Sequence, residues 1–301
     1  MHLLITGGGG MVARYVAEAA RARGHQVWLA DQAWRSEPKG EADLTSLTFD
    51  IRDADACRAA IERSAADAVI HCAAVVGPQR SIADPTLTLA VNVGGTANLL
   101  HASHAVGIRL VSLSTATLYG NRPDLAPLSE TDAASPLTVY DGSKLMAEIY
   151  CSVHRRTYGS DVASFRTGFV YGVGSQIGEY FLPRVLAGET VQDAGGDHPC
   201  DFTYAGDLAE GLVQATEAPS LAHDVYNLTG GVLRRRSELA DAVRALVPGA
   251  QIEQALGIDP RRHLRGPCIL SRAASDFGWT PRFALEHGMA DWLRRLQEIA
   301  P

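Results

Sequence analysis

Residues 1–20 read MHLLITGGGGMVARYVAEAA, and this stretch decides the fold. A short apolar run is followed by four glycines and then by an alanine-rich segment with helical periodicity. Consecutive glycines could form a flexible linker, or a turn whose backbone approaches a phosphate. The spacing Gly7-x-x-Gly10-x-x-Ala13, between a predicted strand and a predicted helix, favours the second interpretation. It predicts a dinucleotide-binding turn.

The chain continues as an alternation of apolar runs and amphipathic segments. The apolar runs predict strands at 2–6 (HLLIT), 26–30 (QVWLA), 68–74 (AVIHCAA), 109–115 (RLVSLST) and 161–172 (DVASFRTGFVYG). The segments between them predict helices over 11–24, 53–65, 87–107 and 144–159. Continuous apolar runs are typical of parallel strands that are buried on both faces. The alternation therefore predicts an α/β fold with a doubly wound parallel sheet, the Rossmann fold.

The alternation becomes irregular after about residue 169, which suggests a second, smaller lobe. We expect residues 1–168 plus about 201–232 to form a dinucleotide-binding domain with the Rossmann fold. We expect about 169–200 plus 233–301 to form a C-terminal substrate-binding lobe.

The composition excludes several classes of protein. The formal net charge of −7 over 301 residues argues against a nucleic-acid surface. The five cysteines are odd in number and form no CxxC pair, so reduced thiols are expected rather than a disulfide framework or a metal site. No stretch approaches the ~18 consecutive apolar residues of a membrane span. We expect a cytoplasmic protein that binds no metal, no membrane and no nucleic acid.

A carboxylate at the end of the second predicted strand indicates which dinucleotide binds. Asp31 lies about 20 residues beyond the glycines, the offset of the acid that contacts the ribose hydroxyls. It would repel the extra phosphate of NADP, so NAD is the predicted cofactor. Trp34 and Arg35 follow it and are interpreted as an ordinary solvated loop.

The stretch VYDGSKLMAE carries the candidate chemistry. Tyr140 and Lys144 are four residues apart and share a face if the segment is helical. A neighbouring ammonium and an oxidised nicotinamide would both favour the phenolate and lower the pKa of the tyrosine. Upstream, Thr115 and Thr117 close a predicted strand and would face the ligand crevice. Asn92 could hold a water molecule that relays the proton.

The order of motifs along the chain carries a resemblance to a known family. The motifs are TGGxGxxx at 6–13, DIRD at 50–53, HCAA at 71–74, NVGGT at 92–96, STATLYG at 114–120, YDGSK at 140–144, RTGFVYG at 166–172, DFTYAGDLAEG at 201–211, YNLTGG at 226–231 and FGWTP at 277–281. Together they resemble the extended short-chain dehydrogenase/reductases, the NAD-dependent epimerase/dehydratase group. The resemblance implies a homodimer that acts on a small-molecule substrate.

The resemblance and the residue chemistry together define a set of candidate site residues. The catalytic candidates are Thr115, Tyr140 and Lys144, with Asn92 in support. The cofactor candidates are Gly7, Gly10, Met11, Val12, Asp31, Asp50, Ile51, Cys72, Ala73, Ala74, Tyr140 and Lys144, with Asp50 and Ile51 near the adenine. The substrate candidates are Arg80, Ser81, Thr117, Phe169, His198 and Arg262.

Departures from the family pattern narrow the reaction. Ala116 and Thr117 stand where the dehydratases carry an Asp–Glu pair, and Thr117 also replaces the glutamate of the decarboxylases. Reversible hydride transfer at a secondary alcohol remains. It would serve either net oxidation or reduction, or the transient oxidation of a nucleotide-sugar 4-epimerase. A non-catalytic NAD-sensing protein is the third alternative, although a sensor has no reason to keep the Thr–Tyr–Lys set.

Two further departures concern the substrate. Phe169 and Cys200 occupy positions at which nucleotide-sugar members usually carry a diphosphate-binding asparagine and arginine. A smaller polyol, sugar or hydroxy acid is therefore expected, although the basic run at 259–267, with Arg261, Arg262 and Arg265, could compensate.

Overall fold

The computed structural model describes residues 1–34, 43–175, 181–260 and 262–299. Within these ranges, seven parallel strands form the central sheet in the order β10-β6-β5-β4-β1-β2-β3. Their bounds are β1 His2–Thr6, β2 Gln26–Asp31, β3 Leu44–Thr48, β4 Ala68–His71, β5 Arg109–Thr115, β6 Val162–Thr167 and β10 Val225–Leu228. The predicted doubly wound sheet is confirmed. Sequence analysis missed β3, an edge strand whose sequence LTSLT has only two apolar residues and so does not form an apolar run.

Helices cover the sheet and extend beyond it. Their bounds are α1 Met11–Ala22, α2 Ala54–Ser64, α3 Pro78–Ala83, α4 Pro85–Leu89, α5 Thr96–Val106, α6 Val139–Tyr158, α7 Leu182–Leu186, α8 Ala205–Glu217, α9 Arg236–Leu246, α10 Ser271–Phe277 and α11 Leu285–Ile299. Left-handed glycines at 107 and 159 end α5 and α6, where glycine has no Cβ to oppose that conformation. None of the described helices is long and apolar enough to cross a membrane.

The sheet has a switch point between β1 and β4. From β1 the chain winds outward through β2 and β3, and it then returns to β4 and winds the other way through β5 and β6. Both neighbours of β1 are parallel to it and in register over nearly its whole length. In such a sheet, ligands bind outside the carboxyl ends of the strands at the switch point. This edge is therefore where a site is expected.

The predicted strand over 161–172 is two strands in two different sheets. β6 ends at Thr167, and β7 (Phe169–Tyr171) joins β9 (Pro199–Tyr204) and β11 (Leu233–Arg235) in a smaller sheet. Gly168 separates them, and a Cβ there would lie 2.7 Å from the carbonyl oxygen of Asp201. Close approach of β9 thus requires glycine at the point where the chain changes sheet. β8 (Val191–Asp193) and β12 (Ile252–Gln254) form a separate two-stranded parallel sheet. The division into two domains stays a prediction.

The predicted helix over 87–107 is interrupted. Between α4 and α5 the residues Ala90–Gly95 form a π-helical segment, and Asn92 lies within it. π-segments are rare and concentrate at functional sites, because the extra residue in the turn changes where side chains point.

Candidate active site

The glycine turn lies at the carboxyl end of β1 and is tightly enclosed. Gly7 has φ +76°, and a Cβ there would lie 2.8 Å from the backbone nitrogen of Ala73. The Gly10 N–H donates to the Gly7 carbonyl oxygen at 2.8 Å, and α1 begins at Met11 with no side-chain cap from the described residues. The first-turn amides of α1, including that of Val12, are available to an anion. This donor set fits the pyrophosphate of a dinucleotide.

Asp31 lies beside this turn, at the end of β2. Its Oδ2 accepts a hydrogen bond from the Gly9 N–H at 2.9 Å. The interpretation of Trp34 as a solvated loop residue was wrong. Its ring lies 2.7 Å from where a Gly8 Cβ would be, and its indole N–H donates to Thr48 Oγ1 at 3.0 Å. Trp34 therefore packs against the glycine turn, while Arg35 lies outside the described residues.

The predicted adenine end holds Asp50 and Ile51 just after β3. The Arg52 guanidinium donates to the Asp50 carboxylate and holds the pKa of that carboxyl below its usual range. Ile51 is buried against the π-segment, since a Cβ on Gly95 would lie 2.5 Å from Ile51 Cδ1. The structure thus places the two residues beside the π-segment but pairs Asp50 with a cation of this chain.

Asn92 holds the loop that follows β4, which contains Cys72, Ala73 and Ala74. Its Oδ1 accepts from the Val75 N–H at 2.7 Å, and its Nδ2 donates to the Val75 carbonyl at 3.1 Å and to Ser143 Oγ at 2.9 Å. Both amide hydrogens are engaged, so Asn92 has none to donate to a water molecule. The geometry makes Asn92 a clamp between this loop and α6, and the water relay stays a prediction.

A buried histidine at the end of β4 joins the start of α5 to β1. Thr96 Oγ1 donates to the Asn92 carbonyl oxygen at 2.7 Å, so His71 Nε2 is the donor in its 3.0 Å contact with Thr96 Oγ1. The Thr6 hydroxyl then donates to His71 Nδ1 at 2.7 Å. Burial lowers the pKa of His71 to about 3, which keeps the ring neutral and in this tautomer.

The three catalytic candidates come together at the end of β5. Thr115 is the last residue of that strand, and Tyr140 lies in the first turn of α6. Burial and the charge of Asp141 raise the pKa of Tyr140, and a hydrogen bond with Thr115 opposes them. Lys144 Nζ donates to the Leu113 carbonyl oxygen at 2.6 Å. Without cofactor, therefore, the lysine does not produce the lowered tyrosine pKa that the sequence predicted.

Lys144 is itself strongly affected by its surroundings. The side chain is buried, and loss of hydration lowers its pKa to about 8. Its hydrogen bond to the β5 backbone fixes the ammonium beside the catalytic strand. Lys144 is thereby positioned to hold a polar ligand group between α6 and the sheet edge.

Sequence analysis missed Asp141, which orients the threonines. Its carboxylate accepts from the Thr138 N–H at 3.1 Å in a capping box, and it also accepts from the Thr117 hydroxyl. Thr117 Oγ1 lies 2.9 Å from Thr115 Oγ1. Because Thr117 donates to Asp141, Thr115 is the donor between the two threonines. The signal was available as Thr138-x-x-Asp141 before an amphipathic run.

The substrate candidates are dispersed. Phe169 lines a cavity beside the catalytic strand, and Arg262 Nε donates to Asp259 Oδ2 at 3.2 Å. Arg80 is exposed on α3, whereas the Ser81 hydroxyl is buried and donates to the Pro78 carbonyl at 2.9 Å. His198 was expected in a cleft loop, but it is fully buried, and its backbone N–H donates to the Gly195 carbonyl oxygen in a tight turn. In this arrangement neither the Ser81 hydroxyl nor the His198 ring is accessible to a substrate.

Comparisons with known proteins agree with this geometry. The model of the NAD dependent epimerase/dehydratase family matches residues 3–229. A UDP-glucose 4-epimerase of Mycolicibacterium smegmatis is 28% identical over 96% of each chain. A dTDP-4-dehydrorhamnose reductase of the same organism is 30% identical over 99% of this chain and 84% of its own.

A solved structure gives the same result. The UDP-glucose 4-epimerase of Thermus thermophilus, in complex with NAD, superposes with a TM-score of 0.87 at 26% identity over the full length of both chains. NAD is thus the cofactor that the comparisons support, and the residues of the glycine turn fit it.

Proposed function

The chain belongs to the NAD-dependent epimerase/dehydratase family, and we propose that it catalyses reversible hydride transfer at a secondary alcohol of a small polar sugar, polyol or hydroxy acid. The observation that carries this proposal is the convergence of Thr115, Tyr140 and Lys144 at the end of β5, on the same sheet edge as the glycine turn. This arrangement combines a proton acceptor, a hydroxyl group and a cation beside a dinucleotide-binding turn.

Each residue has a distinct role in this proposal. Bound NAD⁺ supplies the hydride acceptor and a positive charge. Tyr140 accepts the proton of the substrate hydroxyl, and Thr115 hydrogen-bonds the same oxygen. Lys144 stabilises the phenolate by its charge and holds the cofactor ribose. Burial raises the pKa of Tyr140 in the protein alone, and the positive charge of bound NAD⁺ would oppose this shift and favour the phenolate.

Eliminations and decarboxylations are disfavoured by the residues at the end of β5. Ala116 is apolar and buried, and the Thr117 hydroxyl is committed to Asp141. Neither position supplies the carboxylic acid that the dehydratases and decarboxylases of the family carry there. Hydride transfer needs no such group, so the residues present suffice for it.

Two positions disfavour a nucleotide-diphosphate substrate. Phe169 has no side-chain donor, and Cys200 is only 1% exposed, with burial raising the pKa of its thiol to about 11. A diphosphate would lose two of its usual partners here. Saturation-transfer NMR of the NAD-loaded protein with UDP, GDP and dTDP tests this. We expect no saturation transfer to any of the three nucleotides. Clear binding of any of them in the substrate cleft would favour the epimerase over the dehydrogenase.

A nucleotide-sugar 4-epimerase is the second candidate. It is favoured by the full-length similarity to UDP-glucose 4-epimerases. Incubation with NAD and a panel of sugars, hydroxy acids and nucleotide sugars separates the two. Net NADH formation supports the dehydrogenase, and interconversion of sugars without net NADH supports the epimerase. If no compound forms NADH or is interconverted, the result would support a non-catalytic NAD sensor.

A further inference from the structure

Arg265 is a buried cation without a polar partner. Its residue is only 9% exposed, yet it forms no ion pair and no hydrogen bond with the described part of the chain. Its one specific contact is with the ring of Phe169, whose centroid lies 5.3 Å from the guanidinium carbon. Burial of an unpaired guanidinium is unfavourable, so this position is suited to a ligand that supplies the missing charge.

Arg265 lines a cavity beside the end of β5. This cavity is lined by Ala116, Phe169, Asp201, His263, Arg265 and Cys268, among others. Ala116 follows Thr115 directly in the chain, and Asp141, which accepts a hydrogen bond from Thr117, acts on Arg265 through space, so the arginine lies close to the candidate catalytic residues. An anionic group bound by Arg265 would belong to the same small molecule as the reacting alcohol.

The acidic residues nearby are already satisfied. Asp201 accepts from the Gly231 N–H at 3.0 Å, from the Thr229 hydroxyl at 2.7 Å and from the Cys268 N–H at 3.2 Å. Asp141 accepts from Thr117 and Thr138, as described above. Both carboxylates act on Arg265 through space only, and the thiols of Cys200 and Cys268 are kept neutral by burial. The arginine therefore retains its donors for a ligand.

We propose that Arg265 binds a carboxylate of the substrate, which makes the substrate a hydroxy acid such as an aldonic or uronic acid. This inference rests on the proposed function and specifies its substrate class. A planar carboxylate matches the guanidinium fork, and the ring of Phe169 holds the guanidinium by a cation–π contact. The charges also match one to one. A phosphate ester would bring nearly two negative charges toward Asp201 and Asp141, and Arg265 is the only arginine among the described residues that line the cavity.

Matched ligands test the charge of the binding partner. Glucose, glucuronate and glucose 6-phosphate differ only at one end, as do glycerol, glycerate and glycerol 3-phosphate. Calorimetric titration of the NAD-loaded protein with both sets should show the carboxylate member of at least one set binding about tenfold or more tighter than its two partners. Equal affinities within both sets, absence of binding throughout, or tightest binding of a phosphate member would overturn the carboxylate assignment.

Substitutions of Arg265 test whether this residue binds the carboxylate. Arg265→Gln should weaken carboxylate binding about 10- to 100-fold and leave the neutral member unchanged, while Arg265→Lys should be intermediate. Arg58→Gln, at an exposed arginine on α2, is the control and should change neither. Because an unpaired buried charge is removed, Arg265→Gln should melt no lower than the wild type without ligand. A marked loss of thermal stability, or a retained carboxylate preference, would contradict the proposal.

The same titrations distinguish this inference from the proposed function. Arg265-dependent binding of a carboxylate without NADH formation would contradict the dehydrogenase but leave the anion site standing. Equal NADH formation from the acid and its neutral partner would leave the dehydrogenase standing and overturn the anion site.

Discussion

At the scale of single residues, the site is governed by what each polar group is already bound to. Asn92, Lys144 and Thr117 are committed to the Val75 backbone, the Leu113 carbonyl and Asp141 respectively. These bonds fix side chains in place and leave the Tyr140 hydroxyl to meet a substrate, whereas the Thr115 hydroxyl has to turn away from Thr117 to do so. Preorganisation of this kind spares the reaction the free energy of reorienting dipoles.

Tyr140→Phe should lower kcat by roughly 10²- to 10⁴-fold, the usual contribution of a general acid–base group. The ring and its packing are retained, so NAD affinity should hardly change. Tyr158→Phe, at an exposed tyrosine that ends the same helix, is the control. Steady-state kinetics with calorimetry for NAD measures both effects. A Tyr140→Phe enzyme with most of its activity would mean that the proton acceptor has been misassigned.

At the scale of elements, the glycine turn, the loop after β4 and the π-segment support one another. Gly7 lies against Ala73, and Asn92 holds the same loop two residues further on. The shape of the cofactor cradle thus depends on three segments that are distant in sequence. A side chain introduced at their contact should disturb cofactor binding as well as stability.

Gly7→Ala tests this dependence. The new Cβ meets the Ala73 backbone at 2.8 Å and the residue has φ +76°, so we expect a loss of stability of roughly 2–4 kcal/mol and severe loss of NAD affinity. Gly107→Ala is matched, because it has φ +74° but open space around its Cβ. It should lose only about 1 kcal/mol and keep NAD affinity. Urea unfolding and calorimetry compare them, and equal effects would exclude a special role for the turn.

The end of β2 sets the preference between the two dinucleotides. Asp31 would face the additional phosphate of NADP, so NAD should bind about tenfold tighter or more, given a repulsion of roughly 1.4 kcal/mol. Asp31→Asn should reduce the difference in affinity between NAD and NADP. Asp55→Asn, at an exposed position on α2, should leave that difference unchanged. Calorimetric titration with both dinucleotides measures it. Equal or tighter binding of NADP by the wild type would refute the assignment.

At the scale of the whole molecule, the switch point of the sheet gathers the site. The carboxyl ends of β1, β2, β4 and β5 bring the glycine turn, Asp31, the clamped loop and Thr115 to one edge. The change of sheet at Gly168 then carries Phe169 over that edge to meet Arg265 from the C-terminal part of the chain. The fold thus brings the glycine turn and the contact between Phe169 and Arg265 to the vicinity of β5.

The buried His71 makes this assembly sensitive to acid. Its pKa is depressed to about 3 in the fold, so its contribution to stability is complete above its unfolded pKa near 6.5 and is lost as the pH falls toward 3. Over that window His71 should add about 1.4 kcal/mol per pH unit to the slope of the unfolding free energy. His71→Gln should flatten the slope by that amount, whereas His287→Gln, at an exposed position, should not. Urea unfolding from pH 7 to pH 5 decides this, and equal slopes for wild type and His71→Gln would contradict it.

The sequence by itself determined the features that depend on local chemistry. The glycine spacing predicted the turn because a left-handed, closely packed backbone at Gly7 admits no other residue, and the apolar runs predicted the parallel sheet because its strands are buried on both faces. Only the tertiary structure decided which polar groups already have hydrogen-bond partners within the protein and which remain available to a ligand. Asn92 and Thr117 form hydrogen bonds with residues of other elements, and Arg265 contacts the ring of Phe169. His198 is buried although it lies in a loop. Such contacts depend on how the elements pack, and no local pattern of residues encodes them.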